Sequence, residues 1–353
     1  MGDSYIDVYQ GKTVLITGGA GAIGSNLSRT LAETGSRVIV IDDLTSAELW
    51  NVPSLPNLLF VKGSILDEVI LKRVFFERPQ IVFHLAAFFA NQNSLDHPET
   101  DLMVNGMGTL RMLEYSVLSG VQRFVYASSG CSIYGSDAPL PLREDFMSMH
   151  LSTPYQITKM LGELYCNLFF NQYGLKVVKP RFFNSYGPGE VPGQYRNVIP
   201  NFIYWAMQGL PLPITGNGEE TRDFTYVGDI VDGLLRGGAM ESAIGQEFNL
   251  ASGRETRIID LARRINEITG NKGGVRFVQR RKWDTKMRLL ASIDRASGLL
   301  GYEPRTPFET GLLNTIEWFG ANWKRIEACA GFGPGVSSAV RDMLSQKNAK
   351  LSS

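Results

Sequence analysis

The stretch Thr17-Gly18-Gly19-Ala20-Gly21-Ala22-Ile23-Gly24 follows an apolar run at residues 12–17 and precedes a segment with apolar residues at Ile23, Leu27 and Leu31. That spacing predicts a strand, a glycine turn and a helix over 23–33, and the apolar run 37–41 adds a second buried strand. The three pieces make a βαβ unit. In a G-x-x-G-x-x-G turn, Gly18 permits the tight bend, Gly21 lets the backbone approach an anion, and Gly24 lets the helix pack close to the strand. The N–H groups of the helix start, around Ala22 and Ile23, then suit a pyrophosphate. Asp42 ends the next strand, where its carboxylate can accept hydrogen bonds from a ribose diol. Residues 43–47, beginning with Asp43, hold no lysine or arginine to receive a 2′-phosphate. NAD is therefore expected over NADP.

Further apolar runs at 58–61, 81–85, 123–127 and 175–180 alternate with helical stretches. This is the pattern of an α/β fold: a Rossmann-type doubly wound parallel sheet, covered by helices on both faces. Leu85, Ala86 and Ala87 end one of these strands with the small residues that close approach to a dinucleotide requires. The adjoining His84 reads as a hydrogen-bonded structural histidine. After residue 184 the composition changes to Pro-, Gly- and Tyr-rich loops (185–197) and then to short mixed elements. We expect an NAD-binding domain over 1–184 and a smaller C-terminal α/β substrate domain over 185–330. Residues 221–250 partly return to the first, and 331–353 form a tail with a short helix at 339–346.

Composition narrows the function. The chain has 353 residues, 44% of them hydrophobic, with 35 lysines and arginines against 35 aspartates and glutamates. No global field draws it to nucleic acid or to an anionic membrane. Three widely spaced cysteines (Cys131, Cys166, Cys329) fit neither a disulfide framework nor a zinc site, and the three histidines lack metal-ligand spacing, so no metal is expected. A reducing cytoplasm is the expected home. Two helices, 101–119 and 155–172, are long enough to serve assembly. The second carries Ile157, Met160, Leu161, Leu164, Leu168 and Phe169 at helical spacing, which reads first as a core face and second as a homodimer contact.

Chemistry enters with Tyr155-Gln156-Ile157-Thr158-Lys159. Four residues apart on a helix, Tyr155 and Lys159 share a face. An ammonium beside a phenol favours the phenolate, and an oxidised nicotinamide adds a second positive charge, so a base usable near neutral pH is expected. Tyr-x-x-x-Lys also arises by chance on surface helices. Here it follows a dinucleotide fingerprint at domain-scale distance.

These segments, with Val104-Asn105, Gly108-Thr109, 128–135, 181–188, 221–229 and 300–304, resemble the extended short-chain dehydrogenase/reductases, in particular their NAD-dependent nucleotide-sugar epimerase/dehydratase group. The resemblance runs from about residue 12 to 319. It implies that Ser64, Ile65 and Asn105 also touch the cofactor and that Lys159 holds the nicotinamide ribose. It further implies a serine or threonine that hydrogen-bonds the sugar hydroxyl. Counted forward from the strand 123–127 that residue is Ser129; counted back from Tyr134-Gly135 it is Gly130. The loop is one residue longer than usual, and the strand count is preferred because a strand fixes geometry better than a loop.

By the same resemblance, Asn184 and Arg222 reach the diphosphate, and Arg281, with Arg288 as its rival, supplies a second arginine. Asn197 and Val198 line the substrate site, and Arg196 is available for a sugar carboxylate. Family dehydratases resemble Thr-Asp-Glu in the loop after the strand, and uronate decarboxylases carry a glutamate there. Residues 128–134 hold neither acid. The expected reaction is 4-epimerisation of a UDP-hexose through a transient ketone. The alternatives are a UDP-uronate 4-epimerase or decarboxylase, a 3,5-type epimerase using Cys131 as acid/base, and a non-catalytic NAD-binding scaffold. For Cys131 a small buried thiol is the competing reading.

Overall fold

The computed structural model describes residues 5–280, 284 and 286–330. The helix expected at 339–346 and the candidate Arg281 lie outside the described residues. The apolar runs form seven strands of one sheet: β1 (Thr13–Thr17), β2 (Arg37–Asp42), β3 (Leu58–Lys62), β4 (Ile81–His84), β5 (Arg123–Tyr126), β6 (Val177–Phe182) and β7 (Glu247–Leu250). Their order is β7-β6-β5-β4-β1-β2-β3, and every pairing is parallel. β1 faces β2 in the register Thr13 to Arg37 through Thr17 to Ile41, and β4 from Val14 to Ile81 through Thr17 to His84. The chain direction of the winding reverses between β1 and β4, and the carboxyl ends of strands part there to leave a crevice.

Five helices position the site: α1 (Ala22–Glu33), α2 (Thr109–Leu118), α3 (Pro154–Tyr173), α4 (Val198–Met207) and α5 (Val227–Ala239). Alternate residues of each strand serve opposite faces of the sheet. Val14 and Ile16 pack with Leu27 and Leu31 of α1 and with Ile230 and Leu234 of α5. Leu15 and Ile39 pack on the other side with Met112 and Leu113 of α2 and Cys166 and Phe169 of α3. A third core, around Ile203, Leu212, Ile214 and Leu261, supports the smaller unit. The return of 221–250 is partial: α5 packs on the main sheet and β7 extends its edge, whereas Thr221–Asp223 pairs antiparallel with Glu255–Arg257. No described helix is long and apolar enough to cross a membrane.

Only part of the apolar stripe of α3 faces the sheet. Met160 and Phe169 are buried, but Ile157, Leu164 and Leu168 are exposed at 53%, 52% and 45%. The face turned inward is polar or small: Tyr155, Lys159, Gly162, Glu163 and Cys166. Gly162 is required there, because a β-carbon would meet the Tyr126 hydroxyl. Next to α3 runs a helical segment Pro98–Leu118 with a π-turn over Leu102–Gly108 inside it. Leu102, Met103 and Met107 of that turn are also exposed.

Candidate active site

The crevice between β1 and β4 is a cleft of about 570 Å³. Gly18 lies in the left-handed region (φ +70°), and a β-carbon on it would stand 2.7 Å from the Ala86 nitrogen. At Gly24 a β-carbon would collide with the Gly18 carbonyl. Both positions therefore demand glycine. Gly21 caps α1 without any side-chain hydrogen bond, and the first turn, Ala22 to Gly24, lines the cleft. Those open N–H groups suit a pyrophosphate. Asp42 accepts the Ala20 N–H (3.0 Å) and the Leu44 N–H (2.9 Å), so its carboxylate is held at the glycine turn. Burial raises its pKa, and these two bonds oppose the shift. Asp43, Ser64, Ile65, Leu85, Ala86 and Ala87 line the same cleft. The donor set fits NAD.

At the far end of the cleft, Pro154 opens α3 and Thr153 caps it, placing Tyr155 and Lys159 one turn apart. The Lys159 Nζ stands 5.7 Å from the centre of the Tyr155 ring and donates to the Ala127 carbonyl at 2.9 Å. Burial pulls the lysine down to about 8, while the Asp101 carboxylate supports its charge. The Tyr155 hydroxyl is pushed up instead, first by burial, then by the charges at Asp101 and Cys131, and it is eased down by a hydrogen bond with Ser129. Lys159 is not among the causes of this shift, so the lowering expected from the neighbouring lysine is not seen, and desolvation dominates.

Ser129, and not Gly130, meets Tyr155. Its hydroxyl also shares a hydrogen bond with Ser132 at 2.9 Å. Gly130 packs on the Phe183 ring so closely that a β-carbon would overlap it, which leaves no room for a serine. The extra loop residue is absorbed in a single helical turn, Gly130–Ile133. Cys131, within this turn, lines the cleft; burial raises its thiol, whereas the Asn184 N–H and the charges on Lys286 and Arg222 lower it. His84 is a structural group, bonded to Thr17 (2.7 Å) and Thr109 (3.0 Å) and drawn down to about 3 by burial.

Asn184, Arg196, Asn197, Val198 and Arg222 all line the cleft. Arg222 donates to Asp284 at 3.2 Å. Two expectations require correction. Asn105 does not line the cleft: it sits behind the wall, accepting the Phe88 N–H at 2.7 Å and donating to Asp101 at 2.8 Å, so protein groups occupy both ends of its amide. Arg288 is exposed and captured by Glu255 (2.9 Å), away from the cleft lining. Arg196 lines the cleft as expected; burial lowers its pKa, and the charges of Glu190 and Asp42 oppose that shift. Sequence reasoning missed Glu190, Tyr195, Glu220 and Lys286, all of which line the cleft. None belongs to a spaced motif; Glu190 and Tyr195 lie in the loop already marked by its Pro and Gly content.

A model of the NAD dependent epimerase/dehydratase family matches residues 14–251. The chain belongs to that family. It is an enzyme of this class and uses NAD. It is 57% identical to an epimerase of known structure from the methanogen Methanothermobacter thermautotrophicus, covering 93% of this chain and 98% of that one with a TM-score of 0.92. The Bordetella bronchiseptica enzyme WbmF, solved with NAD+ and UDP, is 37% identical over 91% of this chain and 96% of its own, with a TM-score of 0.80. A UDP-glucose 4-epimerase of Mycolicibacterium smegmatis is 35% identical over 86% of this chain and 97% of its length. As a member of the epimerase/dehydratase family, the chain places its tyrosine, lysine and serine at the same end of the cleft.

Proposed function

We propose that the protein is a nucleotide-sugar 4-epimerase acting on a UDP-hexose. The observation that carries this reading is the contact of Ser129 with Tyr155 in a loop, 128–134, that holds hydroxyls and a thiol but no carboxylate. Such a loop can move a proton on and off one sugar hydroxyl but has no acid pair to expel water. Tyr155 takes the proton of the 4-hydroxyl, Ser129 orients that hydroxyl, and Lys159 supplies positive charge to the developing phenolate. NAD, held at the glycine turn and Asp42, would supply the acceptor and donor for the C4 hydride. Tyr155 then gives its proton back to the oxygen of the ketone. Arg222 and Asn184 hold the diphosphate, so the sugar can turn without leaving. The similarity to a UDP-glucose 4-epimerase and to a structure holding UDP supports the choice of base.

The NAD-binding part is residues 1–184, and the sugar nucleotide is held chiefly by 185–330. The active form is a homodimer built on α3 and the helical segment beside it, because Ile157, Leu164 and Leu168 form an exposed apolar stripe beside Leu102, Met103 and Met107. The three free cysteines suit the cytoplasm. The deciding experiment incubates the protein with UDP-glucose or UDP-galactose and reads the product by NMR. Interconversion at C4 without added cofactor supports the reading; loss of water, or no reaction with either sugar, removes it.

A further inference from the structure

Glu220 lines the cleft, yet its side chain is only 6% exposed, and among the described residues its Oε2 has no hydrogen-bond partner. Its Oε1 faces the Arg280 guanidinium at 3.5 Å. A carboxylate oxygen withdrawn from water without a donor is costly. The last torsion of a glutamate is soft, so this oxygen can turn toward a donor that enters the cleft.

The backbone says where along the nucleotide that donor lies. The antiparallel pairing of Thr221–Asp223 with Glu255–Arg257 continues one residue further, where the Glu220 carbonyl accepts the Ile258 N–H at 2.9 Å. Glu220 and Arg222 therefore share a face of an extended segment; both line the cleft, whereas Thr221 and Asp223 do not. Two residues along a strand set them about 6.6 Å apart. On one side, Arg222 donates to the Lys286 carbonyl (3.2 Å), and the Lys286 ammonium donates to the Cys131 carbonyl (2.8 Å) in the loop of Ser129, so the reacting end lies that way. Glu220 lies on the other side. Its Oε1 would stand 2.6 Å from a β-carbon on Gly216, next to Thr215, and with Ile258, Pro213 and Phe202 these residues carry the cleft into the smaller unit. With Arg222 on the diphosphate, one strand step of two residues toward the nucleoside reaches the ribose. The chemistry agrees: a ribose offers two neighbouring hydroxyl donors to a carboxylate, an acceptor-only group, whereas the one N–H of uracil is flanked by carbonyls that a carboxylate repels.

We propose that Glu220 reads the ribose diol of the nucleotide, so that the protein distinguishes UDP-sugars from their deoxyribose counterparts. The inference rests on the UDP-sugar reading, with Arg222 at the diphosphate, and adds a specificity-determining residue to it. Equilibrium binding of UDP, 2′-deoxy-UDP and 3′-deoxy-UDP is measured on the NAD-loaded protein and on its Glu220→Ala and Glu220→Gln variants. At least one deoxy analogue should bind the wild type about 10- to 100-fold more weakly than UDP, the worth of a hydrogen bond to a charged group. In the Ala variant that ratio should approach one, and the Gln variant, which keeps an acceptor without the charge, should hold an intermediate ratio. Equal binding of all three ligands by the wild type overturns the proposal. A parallel loss for all three in the Ala variant, with the ratio kept, assigns Glu220 to the base or to holding Arg280 and overturns it as well. Because the readout is a ratio within one variant, a general loss of folded protein does not imitate the expected result. Failure of the wild type to bind UDP at all would instead remove the UDP-sugar reading, and this inference with it.

Discussion

Arg181 grips Glu163 through two parallel hydrogen bonds, Nε to Oε1 at 2.9 Å and Nη2 to Oε2 at 2.8 Å, with both side chains almost wholly removed from water. Burial opposes the arginine's charge, but the Glu163 carboxylate more than offsets it. Arg181 also donates to the Tyr134 hydroxyl at 3.0 Å, and Glu163 accepts from Ser128, the residue before Ser129. One buried pair therefore anchors both ends of the catalytic loop. Glu163→Leu leaves a buried guanidinium without its partner and should cost about 3–5 kcal/mol in urea unfolding. The double variant Glu163→Leu, Arg181→Met should recover much of that loss. Equal additive losses would show that the pair is not coupled.

Tyr155→Phe removes one oxygen and leaves the ring packed at right angles to Phe89. Nucleotide-sugar binding should survive while kcat falls by roughly 10²–10⁴, the usual range for a lost acid/base group. Ser129→Ala should lower kcat far more than Cys131→Ser. Solvent deuterium entering at C3 or C5 of the product, together with the reverse ranking, would move the chemistry to the carbons beside the ketone.

Glu190 is a buried carboxyl in the cleft, pushed up to about 7 by desolvation and eased down by Arg196 and by a hydrogen bond from Asn197. Between its ordinary value of 4.5 and about 7 the folded protein keeps a proton that the unfolded chain has released. Stability therefore falls as pH rises through that window and levels off above it. Glu190→Gln cannot ionise, so in nucleotide-free protein it should be more stable than wild type at pH 8 by up to about 3 kcal/mol. The two should converge below pH 4.5. A constant difference at all pH values would show that Glu190 does not titrate as described.

Leu164→Glu with Leu168→Glu places two charges on the exposed stripe of α3 while leaving its inward face untouched. Light scattering should show wild type at twice the mass of the double variant, with circular dichroism unchanged. A wild type that is already monomeric would remove the dimer.

The βαβ unit, the glycine turn, Asp42 and the Tyr155–Lys159 pair were legible in the linear chain, because each depends on contacts within a few residues. Local geometry sets the strand period, the helical spacing of four and the steric demand at Gly18 and Gly24. What only the tertiary structure decided depends on neighbours far away in sequence. Ile157, Leu164 and Leu168 of α3 point outward because the opposite face is reserved for Tyr155, Lys159 and the Glu163–Arg181 pair, which a periodicity count cannot distinguish from a surface. Gly130 yields the serine role to Ser129 because Phe183, more than fifty residues on, fills the space above it. Asn105 withdraws behind the cleft because Phe88 and Asp101 use its amide, and Arg288 stays at the surface because Glu255 holds it there. Lys286 has no motif around it at all. It reaches the cleft through its hydrogen bond to the Cys131 carbonyl, which exists only when residues 155 positions apart are brought to one side of the cleft.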